Sequence, residues 1–244
     1  MSRCAERMFW LGLALSFLLN LLDSQPLLAE APKLEFSEKE FFFGYIPADV
    51  VARHDYWLRN TGDAPLAITE VKPTCSCTEF ELARPTVPPG DSVRLAVFFS
   101  AERMFNRVVK MLIVTSNDPD KSVDTIVFAA LVNREHDLVK VEPQQLVFDA
   151  IDLANPESAK TFMVRNGSDE TVELSLAGDP PEGFEVLISR SRIRPGAEAK
   201  VDVRLVKPPE KPGLLRTSLT LRFVLEDAYR VTVPITAQLG QASP

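Results

Sequence analysis

The chain repeats itself at an offset of 105 or 106 residues, and this repeat constrains the fold more than any other feature. Apolar segments, an Arg-Asn step and a Pro-Gly step recur in the same order in both halves. The matching pairs are Phe43–Ile46 with Phe148–Ile151, Leu58–Asn60 with Val164–Asn166, and Pro89–Gly90 with Pro195–Gly196. The sequence therefore predicts one structural unit that is built twice.

Apolar and polar residues alternate with a period of two within each repeat, which is typical of half-buried antiparallel strands. In the first repeat the alternating apolar residues are Val93, Leu95, Val97 and Phe99, and in the second they are Ala199, Val201, Val203 and Leu205. Turn signals rich in Asn, Gly, Asp and Pro separate these runs. The fold predicted is all-β, with two immunoglobulin-like β-sandwiches in tandem.

The N-terminal segment has the pattern of a secretory signal peptide. Arg3 and Arg7 precede the apolar stretch 8–22, and a short polar segment then ends at Ala29. We predict a signal peptide over residues 1–29, a periplasmic or secreted location, and no membrane span after signal removal. The alternative is an uncleaved anchor, because Leu27 suits the cleavage motif poorly.

Two domains are predicted after the signal. The first covers residues 30–135 and contains a Cys-x-Cys motif, and the second covers residues 138–240. The polar stretch Asn133 to Asp137 lies between them and is predicted to be a short hinge that proteases cut first.

The first repeat resembles a bacterial domain-of-unknown-function family, numbered 1573. The resemblance is carried by Phe43-Gly44, Leu58–Gly62, Thr74–Thr78, Pro89-Gly90 and Ser116–Pro119 in that order. It implies a secreted immunoglobulin-like domain, akin to the PapD and major-sperm-protein sandwiches, and it implies no established activity. The family motif reads Thr-Cys-Gly-Cys-Thr, and Ser76 replaces its glycine here. Serine would add backbone strain if that position needs a positive φ.

Composition argues against several classes of function. The chain has 27 basic and 34 acidic residues, a net charge of -7 and no basic run, so no nucleic-acid partner is expected. It has two histidines, its carboxylates are scattered, and it has no phosphate-binding loop. We therefore predict that the protein is not an enzyme, has no catalytic residues and needs no cofactor.

Cys75 and Cys77 are the candidate metal or redox residues. A disulfide between them would close a three-residue loop and contribute only about 1.6 kcal/mol before strain. Two thiolates could instead bind Cu(I) or Zn(II), although the sequence nominates no further ligands. The thiols could also exchange disulfides or serve only as packing groups. The second repeat has Asp179 to Gly183 at the aligned positions, so the fold does not need the thiols.

Trp57 and Phe98 are the candidate partner-binding residues. Tyr56 and Leu58 are predicted to face the core, which turns Trp57 outward, and the same parity turns Phe98 outward on a neighbouring strand. The two aromatic side chains are predicted to form one exposed patch, unless a loop or the other domain covers them.

Two hypotheses of function follow. The first is a non-enzymatic, exported protein-interaction or scaffold module of the cell envelope, whose protein partner the sequence does not identify. The alternative is a thiol redox or copper-handling protein that acts through Cys75 and Cys77.

Overall fold

The structure is a computed structural model that describes residues 30–152, 158–209, 212–225 and 227–240. Every helix or strand in these ranges is a β-strand, which confirms the all-β fold class. The predicted signal peptide lies outside the described residues. Within these ranges no helix is long and apolar enough to cross a membrane.

The first unit contains nine strands. They are β1 (Leu34–Phe36), β2 (Glu40–Ile46), β3 (Val51–Asn60), β4 (Leu66–Pro73), β5 (Thr78–Leu82), β6 (Thr86–Val87), β7 (Ser92–Ser100), β8 (Asn106–Ser116) and β9 (Val123–Val132). One sheet has the order β1-β3-β7-β5, and the facing strands have the order β2-β9-β8-β4-β6. These are the A-B-E-D and G-F-C arrangements of an immunoglobulin-like sandwich.

The second unit repeats this plan. Its strands are β10 (Val139–Glu142), β11 (Leu146–Asp152), β12 (Ser158–Asn166), β13 (Val172–Leu176), β14 (Phe184–Ile188), β15 (Arg192–Ile193), β16 (Glu198–Leu205), β17 (Gly213–Val224) and β18 (Ala228–Gly240). The order β10-β12-β16-β14 matches the first sheet of the first unit, while β11, β18, β17, β13 and β15 match the second. The fold is therefore a tandem sandwich.

Each unit has its own hydrophobic core between its two sheets. Tyr56 and Leu58 of β3 are fully buried in one core, and the aligned Phe162 and Val164 of β12 are buried in the other. The predicted inward parity of these positions is confirmed. The exact boundary between the two units stays a prediction.

The two units are joined by a continuous sheet. Strand β2 is paired with β9 and runs parallel to β18, where Val231 lies opposite Tyr45. The Thr232 hydroxyl donates a 2.6 Å hydrogen bond to the carbonyl oxygen of Phe43. On the other sheet, the backbone N–H of Arg53 donates to the Ser218 hydroxyl at 2.9 Å. The second unit thus covers backbone groups at the edge of the first.

The predicted hinge makes contacts with both units. The ring of His136 stacks on Tyr229 with centroids 3.8 Å apart, and it meets Tyr45 edge-on at 5.4 Å. Its Nδ1 accepts hydrogen bonds from the backbone N–H groups of Leu138 and Val139 at 3.2 and 3.3 Å. These contacts argue against a loose hinge.

We expect His136 to make the free energy of unfolding depend on pH. This free energy should fall as the pH drops below about 6.5, the ordinary pKa of histidine. Burial lowers the pKa of His136. The charge of Asp137 opposes this shift, and the charge of Lys140 adds to it. The unfolded chain then binds more protons than the folded one below that pH, and a proton on Nδ1 would also break the two backbone bonds.

Melting temperatures of the wild type and His136→Phe between pH 7.5 and 5.5 test this. The Phe variant keeps an aromatic ring but cannot titrate, so its melting temperature should depend less on pH. Equal pH dependence in the two proteins would contradict the prediction.

Candidate functional site

Cys75 and Cys77 form a disulfide in the turn between β4 and β5. Their Cα atoms are 5.2 Å apart, a separation that a disulfide can span and that the turn provides. Both side chains are half-buried, and the hydroxyl oxygen of Thr78 lies 3.4 Å from Sγ of Cys75 and 3.8 Å from Sγ of Cys77. The sequence left several arrangements of these two cysteines open. The structure has the disulfide.

The replacement of glycine by Ser76 brings no backbone strain. Among the described residues other than glycine, positive φ angles occur at Asp49, Arg103, Asn106 and Asn133. Ser76 has a negative φ, so the added strain considered from the family motif does not arise.

A metal role for Cys75 and Cys77 stays a prediction and needs the reduced pair. The thiolate is the form that binds metals, and a closed disulfide has none. In the part of the chain that the structure describes, no three His, Cys, Asp or Glu side chains are grouped to hold a metal ion.

Replacing both cysteines with serine should lower the free energy of unfolding by less than about 2 kcal/mol, because the three-residue loop restricts the unfolded chain so little. Urea denaturation of the wild type and of Cys75→Ser with Cys77→Ser measures the difference. A double variant that fails to fold would show that the turn depends on the disulfide and would contradict the comparison with the second repeat.

Trp57 and Phe98 do not form one exposed patch. In the β3–β7 ladder Trp57 lies opposite Arg94 and Phe98 lies opposite Arg53. The two aromatic residues are thus four positions apart, or about 13 Å along the strands. Trp57 is 48% exposed, but Phe98 is half-buried and has the guanidinium of Arg216 6.0 Å from its ring centre. Phe98 has the predicted parity but packs at the junction with the second unit.

Trp57 borders a groove of about 960 Å³ between the outer face of β3 and β7 and a loop of the second unit. Several charged groups in it are paired with each other. Arg53 forms a 2.8 Å ion pair with Asp55, and Arg94 pairs with Glu182 across the groove. A role of Trp57 in binding a partner stays a prediction.

Apolar side chains cover the outer face of β2, β9 and β8, which the sequence analysis missed. Phe42, Ala129 and Val109 lie in one row across the three strands, and Val127 and Met111 lie in the next. Val109 is 46% exposed and Met111 is 43% exposed. An antiparallel sheet with one face in water usually has polar side chains there. We call these five residues the apolar face.

A sequence signal for the apolar face exists. The segments 108–114 and 126–132 are almost continuous apolar runs, in which Lys110 is the one charged residue. Such runs are typical of strands that are covered on both faces, whereas alternation is typical of strands with one face in water.

The second unit shows that the sandwich does not require an apolar outer face. Strand β17 is the counterpart of β8, and its buried residues, such as Leu219 and Leu221, alternate with outward ones. Between positions 216 and 222 the outward residues are polar: Arg216, Ser218, Thr220 and Arg222. The apolar face is thus particular to the first unit.

Four residues of the apolar face, Phe42, Val109, Val127 and Ala129, form the floor of a groove of about 520 Å³ at the junction. Met111 lies opposite Val127, beside the groove. The charged lining residues of the groove are Arg107, Arg222, Arg230 and Glu40. Arg230 donates a 3.2 Å hydrogen bond to the carbonyl oxygen of Phe42. Among the described residues, no carboxylate forms an ion pair with Arg107 or Arg222. The groove therefore has a positive rim although the protein is acidic.

The strand order and the two cores define the class of protein, a tandem of two immunoglobulin-like sandwiches with a Cys-x-Cys turn in the first. Residues 34–132 match the family described as "Protein of unknown function (DUF1573)". This match confirms the resemblance seen in the sequence of the first repeat. No curated protein matches the chain.

One solved structure that the chain matches is a protein of unknown function from Porphyromonas gingivalis W83. It is 12% identical, with a TM-score of 0.34, and the match covers 84% of this chain and 99% of that one. The CupB2 chaperone of Pseudomonas aeruginosa is 10% identical, with a TM-score of 0.30 over 82% and 98%. A PapD-like domain of human CEP192 is 11% identical, with a TM-score of 0.32 over 43% and 89%. TM-scores this low support no inference about function. The fold is assigned from the strand order and the two cores.

Proposed function

We propose that this protein is a non-enzymatic interaction module that is exported to the cell envelope and binds a protein partner through its first unit. The observation that carries the proposal is the apolar face. Exposed apolar surface of this kind is unfavourable in water unless a partner covers it, and the second unit has polar residues at the corresponding positions.

Site-specific cross-linking in cells tests the binding proposal. A photoreactive amino acid at position 109 should give a discrete adduct with another envelope protein. The control is position 187, because Leu187 is 69% exposed but lies on β14 of the second unit. Val109→Ser with Met111→Ser should weaken binding of the protein partner without unfolding the protein. Absence of an adduct from position 109, or equal adducts from both positions, would refute the proposal.

The export proposal has a separate test. The protein purified from the envelope should begin near residue 30, because the apolar stretch is short and the segment before that residue ends in the small Ala29. N-terminal sequencing measures this. Retention of Met1 in the envelope fraction would indicate an anchor instead, and recovery from the cytoplasm alone would refute export.

The second candidate function is thiol–disulfide exchange. It is favoured because Cys75 and Cys77 form a disulfide although the second unit builds the same fold without these cysteines. The thiolate of a reduced envelope dithiol protein would attack one sulfur, forming a mixed disulfide and releasing the other as a thiolate. The partner's second thiolate would then break the mixed disulfide, leaving the partner oxidised and both cysteines reduced.

The reduction potential distinguishes this function from a structural role. A value well above about -300 mV, measured by equilibration with glutathione, would support exchange, and a lower value would indicate an inert disulfide. Metal analysis of the reduced protein tests copper handling in the same preparation, since only the reduced pair offers thiolates.

A further inference from the structure

We propose that the groove over the apolar face binds an acidic, apolar segment of its partner, in which carboxylates neighbour apolar side chains. This inference rests on the proposed function and adds the chemistry of the partner. Apolar side chains of the segment would pack on Val109, Val127 and Phe42, while its carboxylates would meet Arg107 and Arg222.

The charges at the groove select this occupant. Arg107 and Arg222 are exposed at its rim and form no ion pair with a described carboxylate, while Glu40 supplies the one negative side chain of the lining. Arg230 adds a third positive charge, and its guanidinium lies 5.1 Å from the ring centre of Phe41. A carboxylate from the partner would gain an ion pair without displacing an existing one.

The same charges disfavour a second copy of this chain. A two-fold symmetric dimer through the apolar face would place the same surface on both sides of the interface. The interface would then contain three arginines and one glutamate from each copy, and this excess of like charge is unfavourable. The apolar stretch 8–22 of this chain is not an acidic segment, because Arg3 and Arg7 balance Glu6 and Asp23 around it.

The shape of the site argues against a membrane surface. The lining comes from β2, β8 and β9 on one side and from the end of the β17–β18 hairpin, including Ala228 and Tyr229, on the other. This arrangement makes a concave groove, which accommodates a chain segment better than the plane of a bilayer.

Peptide binding to the purified protein tests the proposal. The probes are two fluorescein-labelled twelve-residue peptides, one with alternating leucine and glutamate and the other with alternating leucine and lysine. Fluorescence anisotropy should show tighter binding of the glutamate peptide. Arg107→Glu with Arg222→Glu should weaken that binding about tenfold or more and favour the lysine peptide.

The control variant is Arg190→Glu with Arg194→Glu, which makes the same change in charge at two exposed positions that flank β15 of the second unit. It should leave the preference for the glutamate peptide unchanged. Equal binding of both peptides, or equal losses in the two charge variants, would overturn the proposal.

Two further measurements cover the other occupants. Binding to vesicles of phosphatidylglycerol and phosphatidylcholine, with no peptide binding, would make the groove a membrane contact. Dimerisation in sedimentation velocity that Val109→Ser with Met111→Ser abolishes would make the occupant a second copy. Either result overturns the inference.

Cross-linking separates this inference from the proposed function. Arg107→Glu with Arg222→Glu could leave the adduct from position 109 intact while Met111→Ser removes it. The apolar face would then bind a protein partner, but the charge of that partner would not contribute to binding. The acidic segment is then wrong and the interaction module stands. Absence of the adduct in the wild type removes the proposed function itself.

Discussion

Gly44→Ala should destabilise the protein by more than about 3 kcal/mol and open the junction between the two units. Gly44 lies at a register shift in the β2–β9 ladder and has a φ of +73°. A Cβ atom at this position would lie 1.9 Å from the carbonyl oxygen of Arg230 in β18. Because the clashing atom belongs to the backbone, side-chain rearrangement cannot relieve the contact, and β18 must move away.

The matched control for this variant is Gly90→Ala. Gly90 has a φ of +75°, close to that of Gly44, but a Cβ atom there would meet nothing within 4 Å. Its substitution should cost only the strain of a positive φ, about 1 kcal/mol. The difference between the two variants therefore isolates the close approach of β2 to β18.

Calorimetry and limited proteolysis measure the two effects. In the wild type the stretch from Asn133 to Asp137 should resist cleavage, because the His136 ring packs against Tyr229. In Gly44→Ala the same stretch should become the first site of cleavage. Equal destabilisation of the Gly44 and Gly90 variants, with no new cleavage, would show that the units do not depend on this contact.

Much of each sandwich could be predicted from the sequence, because the signals involved are local. The alternation in β7 correctly placed Val97 and Phe99 in the core. The Pro-Gly step at Gly90 correctly marked a turn, where the N–H of Gly90 donates to the carbonyl oxygen of Asn60 at 2.9 Å. Period and turn chemistry depend on neighbours in the chain, so they can be read without the tertiary structure.

The candidate sites were harder to predict because they depend on distant contacts. Parity turned Phe98 outward, but only the docked second unit brings Arg216 over its ring. The Cys75–Cys77 bond depends on the turn that follows β4, which the residue types alone do not determine. The groove over the apolar face needs both units, since Val109 and Arg222 belong to different sandwiches.

Asn60→Ala should lower the free energy of unfolding by about 3 to 5 kcal/mol, a large effect for one polar side chain. Asn60 is fully buried, and its Nδ2 donates to the carbonyl oxygens of Ala64 and Val87 at 2.8 and 3.0 Å. Its Oδ1 accepts from the backbone N–H groups of Gly62 and Lys33 at 3.0 and 3.3 Å. Alanine would leave these backbone groups without their partner, and the carbonyl oxygen of Val87 loses a buried hydrogen bond.

The second unit offers an independent repetition of this experiment. Asn166 is also fully buried, and its Nδ2 donates to Glu170 and Ile193 at 2.7 and 2.8 Å, in the same pattern one repeat later. Asn166→Ala should therefore cause a similar loss. Asn117→Ala is the control, because Asn117 is exposed and water can replace its hydrogen bonds to the backbone.

Asn60→Asp tests whether hydrogen bonding, rather than volume, sets the size of the effect. Aspartate has nearly the same shape and keeps the acceptor, but when ionised it turns both donated bonds into contacts between oxygen atoms. Burial of the carboxylate and its repulsion from the two carbonyl oxygens should make Asn60→Asp at least as destabilising as Asn60→Ala near pH 7. Urea denaturation at pH 7 and pH 5 measures this, and the aspartate variant should recover part of its relative stability at the lower pH because protonation restores one donor. An aspartate variant as stable as the wild type at pH 7 would show that packing alone holds the turn.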